Sequence, residues 1–191
     1  MSGAATVARA DVGCRHLGNV GETCDRHDGD MRHRVTIGRA DLDEPSLAAF
    51  LRDHLAAMEP TAPSESRHAL DLGGLRSPGV RVWVARSGED ILGTAALAEL
   101  EPGHEELKSM RTEPRSRGRG IARRLLDHLV ADARARGVVR ISLETGSMAF
   151  FAPARALYRT SGFEECPPFG SYAEDPNSVF MTRSLSSAPR P

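Results

Sequence analysis

The segment Arg115-Ser116-Arg117-Gly118-Arg119-Gly120-Ile121-Ala122 sets two glycines and three arginines immediately ahead of a long amphipathic stretch. A helix beginning there presents backbone N–H groups with no intrahelical partner, together with a partial positive charge. Glycine at 118 and 120 removes the Cβ atoms that would hold a ligand off the backbone. Several N–H groups can then converge on one phosphate group, and Arg115, Arg117 and Arg119 add charge-assisted donors. A Walker A loop is excluded, because the Lys-Ser/Thr pair that such a loop requires is missing. A dinucleotide fingerprint is also excluded: its third glycine position holds Arg123, and the strands before the turn read as hairpins rather than as a parallel βαβ unit. Alone, the segment is an anion site at a helix N-terminus or a plain glycine-rich strand-to-helix turn.

The elements that must position this turn follow from periodicity. VTIGRA (35–40) reads as a strand. Asp43 or Glu44 starts a helix with Pro45 at an early position, where its missing N–H costs nothing, and Leu47, Phe50, Leu51, Leu55 and Met58 form its apolar stripe. Pro60 and Pro63 break it, and Ser64 can cap a second short helix that runs to Gly73-Gly74. Strands over 80–85, 91–100 and 104–112 follow, separated by turn residues. Ile121, Ala122, Leu125, Leu126, Leu129 and Val130 give the helix of about 119–136 one broad apolar face, and Gly137 closes it. A strand over 138–145, a helix over 153–161 and a last strand over 179–183 complete an α+β plan around a mixed, mostly antiparallel sheet, in the order β-α-α-β-β-β-α-β-α-β with one further strand near the end.

Composition bounds the functions. A chain of 191 residues fits one domain with tails. Residues 1–33 lack apolar periodicity and are expected to be a flexible leader, 34–185 the folded domain and 186–191 a disordered tail. Cys14, His16, Cys24 and His27 are zinc-ligand types, but their spacing matches no compact knuckle, so no metal is expected. The net charge of −1 supplies no global field toward nucleic acid or anionic membrane. No apolar run approaches the ~18 residues of a membrane span. Three irregularly spaced cysteines suggest no disulfide framework, and a cytoplasmic location is expected.

Three motifs in order carry a resemblance. Arg115-Ser-Arg-Gly118-Arg-Gly120 matches [QR]-x-x-G-x-[GA]; Glu106-Leu-Lys-Ser-Met-Arg-Thr-Glu-Pro114 resembles a strand of the form ELKRMYVxP; and Ala154-Arg-Ala-Leu157-Tyr158-Arg-Thr-Ser-Gly162-Phe163 matches A-x-x-L-Y-x-x-x-G-[FY]. Together they resemble the GNAT superfamily of acyl-CoA-dependent N-acyltransferases over roughly residues 35–185. ELKSMRT, SLETGSM, PARALY and the ending from Tyr172 resemble more narrowly the YsnE-like small bacterial acetyltransferases.

The resemblance implies a co-substrate, acetyl-CoA, with its pyrophosphate at Arg115, Arg117, Gly118, Arg119, Gly120, Ile121 and Ala122 and its pantetheine along the backbone of Met110 and Thr112. Tyr158 is the candidate general acid, since a phenol of pKa ~10 can donate to a departing thiolate. Core packing beside Leu157 is its alternative use. Glu106 is the candidate base; a partner for Lys108 is its alternative, and Glu105, Glu144 and His104 compete with it. On the acceptor side the resemblance points to His54, Met58, Glu65 and His68, and the loops add Ser147, Tyr172 and Asp175. Where many members of the family carry an asparagine that bonds pantetheine, this chain has Phe151. The implied activity is acetyl transfer to the primary amine of a small molecule by direct attack in a ternary complex. Alternatives are acetylation of a protein N-terminus or lysine, and a non-catalytic acyl-CoA sensor. A homodimer is a family-level expectation only.

Overall fold

The computed structural model describes residues 34–58 and 71–185, excluding the side chains of residues 57 and 58. The expected leader, the Ser64-capped helix, Glu65, His68, the side chain of Met58 and the tail lie outside the described residues. Strand β1 (Thr36–Arg39) leads to α1 (Pro45–Met58), α2 (Leu72–Leu75), β2 (Val80–Ser87), β3 (Asp90–Glu101), β4 (His104–Thr112), α3 (Ile121–Ala135), β5 (Arg140–Gly146), α4 (Ala152–Thr160), β6 (Glu164–Glu165) and β7 (Ser178–Ser184). Gly73 and Gly74, expected to end a helix, instead lie inside α2, whose first turn is capped by Asp71 accepting from the Gly74 N–H at 2.7 Å.

The seven strands form one sheet in the order β1-β2-β3-β4-β5-β7-β6. Every neighbouring pair is antiparallel except β4 and β5. The parallel pair needs a crossover, and α3 supplies it. On one face of the sheet, Trp83, Ala85, Ala95, Leu97, Leu107, Leu143 and Met181 pack against Leu125, Leu126 and Leu129 of α3 and against Tyr158 of α4. On the other face, Val82, Val84 and Ala96 meet Leu47 and Leu51 of α1 and Leu75 of α2. The three α3 leucines are fully buried, so truncating any one to alanine costs about 2–5 kcal/mol.

Two features of β4 shape the site. Its ladder with β5 runs only from His104↔Arg140 to Glu106↔Ser142, although both strands continue further. The strands therefore part, and the β5-facing edge of β4 beyond Glu106 is left without a neighbouring strand. The ladder of β4 with β3 also shifts register between Thr94 and Ala96, and Ser109 takes the left-handed φ of 51°. This is a β-bulge, held by the Thr94 hydroxyl donating to the Ser109 carbonyl at 3.2 Å.

Candidate active site

A cleft of about 490 Å³ opens where β4 and β5 part. One wall is Met110, Arg111 and Thr112 of β4; one end is Arg117, Gly118, Gly120, Ile121, Ala122 and Arg123; the opposite wall is Phe150, Phe151, Pro153, Ala154, Leu157 and Tyr158. At the α3 end, Gly120 occupies the cap position with φ 76° and supplies no side-chain cap. The N–H groups of the first helical turn thus have no capping partner and face the cleft end. Gly118 has φ 74°, and a Cβ built on either glycine would meet nothing within 4 Å. The backbone needs glycine there for its left-handed conformation, and the space a side chain would fill is open. Unpaired N–H groups, bare backbone and the nearby Arg117 and Arg123 fit a pyrophosphate group.

The wall opposite β4 is built around Tyr158. Its ring is buried and packs on Phe163 with centroids 5.9 Å apart. Among the described residues its hydroxyl has no hydrogen-bond partner, and the residue lines the cleft. Burial pushes the phenol well above its usual value, and the charge of Glu144 acts in the same direction. Tyr158 therefore stays protonated, which suits a proton donor and excludes a base. Phe151 lies over the end of β5, where a Cβ on Gly146 would stand 2.3 Å from its ring. Gly146 is what lets this aromatic wall sit so close.

The α1 end of the cleft holds His54, whose pKa falls to about 4 through burial and, secondarily, the Arg111 charge. The Arg111 guanidinium stacks over the Phe50 ring at 4.8 Å and donates to the Phe50 carbonyl at 3.0 Å. That pairing fixes α1 against β4.

Glu106 lies on the other face. It pairs with Ala98, and Lys108 pairs with Ala96; facing residues of a ladder share a face, so both side chains lie on the α1 side of the sheet. The Glu106 Oε1 accepts from Lys108 Nζ at 2.8 Å and from the Tyr172 hydroxyl at 2.6 Å. Lys108 Nζ also donates to the Tyr172 oxygen at 2.8 Å. Tyr172 belongs to an aromatic group with Phe169 and Phe180. Its phenol is raised far above its usual value by burial, then by the charge of Glu106 and its hydrogen bond, with Glu144 adding to the shift. Glu144 therefore lies near both Tyr158 and Tyr172, linking the two faces at the opening between β4 and β5.

The competing groups are otherwise engaged. Glu105 turns to the α3 face and pairs with Arg136, one arm at 2.7 Å. The two ring nitrogens of His104 are taken up by Glu101 at 3.1 Å and the Ser142 hydroxyl at 2.8 Å.

The acetyltransferase (GNAT) family model matches residues 47–163. The chain is 47% identical over 145 residues to the uncharacterized N-acetyltransferase YsnE of Bacillus subtilis, covering 76% of this chain and 96% of that one. It is 42% identical over 150 residues to the uncharacterized N-acetyltransferase YedL of Escherichia coli, covering 78% and 94%. The chain belongs to the GNAT family. Its fold matches a Klebsiella pneumoniae protein solved as a candidate acyl-CoA N-acyltransferase, with TM-score 0.67 and 31% identity over 80% of this chain and 98% of that one. It is thus an acyltransferase, an N-acetyltransferase of the GNAT type, with the mixed open sheet expected of one.

Within this GNAT domain, Met110, Thr112, Arg117, Gly118, Gly120, Ile121, Ala122 and Tyr158 share one cleft. Arg115 and Arg119 do not line it. The Arg115 backbone N–H is instead bonded to the Glu113 carboxylate at 2.5 Å. Glu106 stands across the sheet from this cleft, and His54, expected beside the acceptor, lines the cleft of the glycine turn. Sequence reasoning misses Arg111, Arg123 and Phe150. Arg123 sits one helical turn from Asp127, which it pairs, so in sequence it looks like an ordinary surface i,i+4 pair. No helix among the described residues is long and apolar enough to cross a membrane.

Proposed function

We propose that this protein moves an acetyl group from acetyl-CoA to the primary amine of a small molecule by direct attack within a ternary complex. The observation that carries this reading is Tyr158, a protonated phenol without a protein partner among the described residues, on a cleft that ends at an uncapped glycine-rich helix N-terminus. The bound co-substrate supplies the activated acetyl thioester. The first turn of α3 and Arg117 hold the pyrophosphate. The free edge of β4 at Met110 and Thr112 accepts the pantetheine as an added strand. Tyr158 delivers a proton to the departing thiolate. Glu106, at the last rung of the β4–β5 ladder and on the opposite face, takes the proton from the incoming amine. The amine and the thioester then meet from opposite faces, through the opening where the strands part. No cysteine lines the cleft among the described residues, and Cys166, after β6, has its thiol raised chiefly by burial. That favours direct transfer over an acyl-enzyme.

A panel of small amines, free amino acids and lysine- or N-terminus-presenting peptides, read by release of CoA thiol, tests the reading. Turnover confined to small amines, with intersecting initial-rate lines, is the expected result. Turnover of peptides alone would move the acceptor to protein. Acetyl-CoA binding without turnover of any amine would leave a sensor.

A further inference from the structure

Glu106, Lys108 and Tyr172 form a closed triangle, and both donors to the carboxylate fall on the same oxygen, Oε1. Among the described residues Oε2 has no hydrogen-bond partner, and the Glu106 side chain keeps 7% of its surface exposed. A carboxylate on a short strand position can rotate, presenting either oxygen in either direction. Here rotation would break two charge-assisted hydrogen bonds at once. Lys108 comes from the same strand, whereas Tyr172 comes from the loop between β6 and β7, 66 residues away in sequence. Its ring is wedged against Phe169 and Phe180, with centroids 5.2 Å and 5.4 Å away. The orientation of Glu106 is therefore imposed by a tertiary contact.

We propose that Tyr172 and Lys108 are positioning residues for the amine-proton transfer: they pin Oε1 of Glu106 and leave Oε2 as the oxygen that meets the acceptor. The proposal rests on the reading of Glu106 as the base. In the step, the N–H bond of the acceptor ammonium breaks, the proton forms a bond to Oε2, and the nitrogen keeps the electron pair with which it attacks the thioester. Lys108 and Tyr172 change no bonds. Among the described residues, the charged or titratable groups facing Glu106 are Lys108 on its own strand, Tyr172 from the loop, and Glu144 of β5, which acts through Tyr172. His104, two residues back on β4, is engaged by Glu101 and Ser142.

Two experiments test it. The first needs no acceptor. The chain has two tyrosines, so Tyr158→Phe leaves Tyr172 as the only phenol, and phenolate absorbance reports it alone. Its ionisation is expected far above the ordinary ~10 and is expected to move down when Glu106→Gln is added. Ionisation at the ordinary pH, or no response to Glu106→Gln, would overturn the triangle. The second uses the panel amine that the wild type turns over fastest, with acetyl-CoA affinity measured alongside. Glu106→Gln should lower kcat/KM for the amine by about a hundredfold or more, and Tyr172→Phe by about tenfold. The double variant should be no slower than Glu106→Gln alone. Lys108→Met should likewise lower kcat/KM for the amine about tenfold, with acetyl-CoA affinity unchanged. Lys108→Arg should restore it in part. Costs that simply add would overturn the positioning role and leave Glu106 as base. A silent Glu106→Gln would overturn the base itself, and with it this inference.

Discussion

The two faces of the sheet at the β4–β5 opening are built on opposite principles. On the α3 side the cleft is made of backbone and apolar wall, and its polar groups are left unsatisfied: uncapped N–H groups at Ile121 and beyond, and a phenol at Tyr158 without a partner among the described residues. On the α1 side the polar groups are already paired with one another, in the Glu106–Lys108–Tyr172 triangle. A site that holds one unchanging ligand through backbone donors can remain unsatisfied until that ligand arrives. A buried charge on β4 cannot, because an unpaired carboxylate there would cost several kcal/mol. The proposed donor side thus resembles a mould, and the proposed acceptor side a network in which one oxygen has been left over.

That comparison breaks most sharply at Tyr158. If its free hydroxyl is the acid, Tyr158→Phe removes one oxygen, keeps the packing on Phe163, and lowers kcat by about a hundredfold or more. Acetyl-CoA affinity by calorimetry should stay within a factor of two or so of wild type, since the ring remains. Unchanged turnover would reduce Tyr158 to a core residue of the α3 face.

The mould is tested next at Gly118 and Gly120. A Cβ at either position meets nothing within 4 Å, so the added Cβ produces no internal clash. Its cost to the fold is the left-handed backbone, about 1–2 kcal/mol. Gly120→Val should in addition place a side chain at the proposed pyrophosphate site, weakening CoA by some tens-fold while the protein stays folded by circular dichroism. Pantetheine, which lacks the pyrophosphate, should bind the variant and the wild type alike. An equal loss for both ligands would mean that strain has displaced α3, and that the turn does not act locally.

The same contrast explains what the sequence discloses. The order of strands and helices was legible because each element carries its own periodicity: the α3 leucines at 125, 126 and 129 define one face with no reference to the rest of the chain. The gathering of the glycine turn and Tyr158 in one cleft was legible because each part is local. Gly118, Gly120 and the helix they precede lie within a few residues of one another, as do Leu157 and Tyr158. The triangle on the α1 face was not. Tyr172 meets Glu106 only after β5, α4, β6 and a loop have been laid across the sheet, and alternation alone cannot tell which of Glu105 and Glu106 faces α3. The register of β4 against Ala98 and Ala96 decides it. His54 was named from the sequence beside the acceptor, but its place on the cleft of the glycine turn was not legible: it shares α1 with Phe50, whose contact with Arg111 spans 61 residues.

His54 supplies the mildest test, and it separates the two faces by pH. Its folded pKa, about 4, lies below the ordinary 6.5. The unfolded chain therefore binds more protons between those values, and stability rises with pH across the window. The contribution is fully present above pH 6.5 and is lost as the pH falls through about 4. Its ceiling is about 3 kcal/mol, and the partly accessible ring reduces that to the order of 1–2 kcal/mol. His54→Gln should flatten this part of the curve in urea unfolding at pH 4.5 and 7.5, with carboxylates common to both proteins cancelling in the difference. Parallel pH curves for wild type and variant would mean that His54 keeps its ordinary pKa in the folded cleft. The α1 end would then gain a positive charge once the pH falls below about 6.5, and the cleft of the glycine turn would be less a mould of bare backbone than its geometry implies.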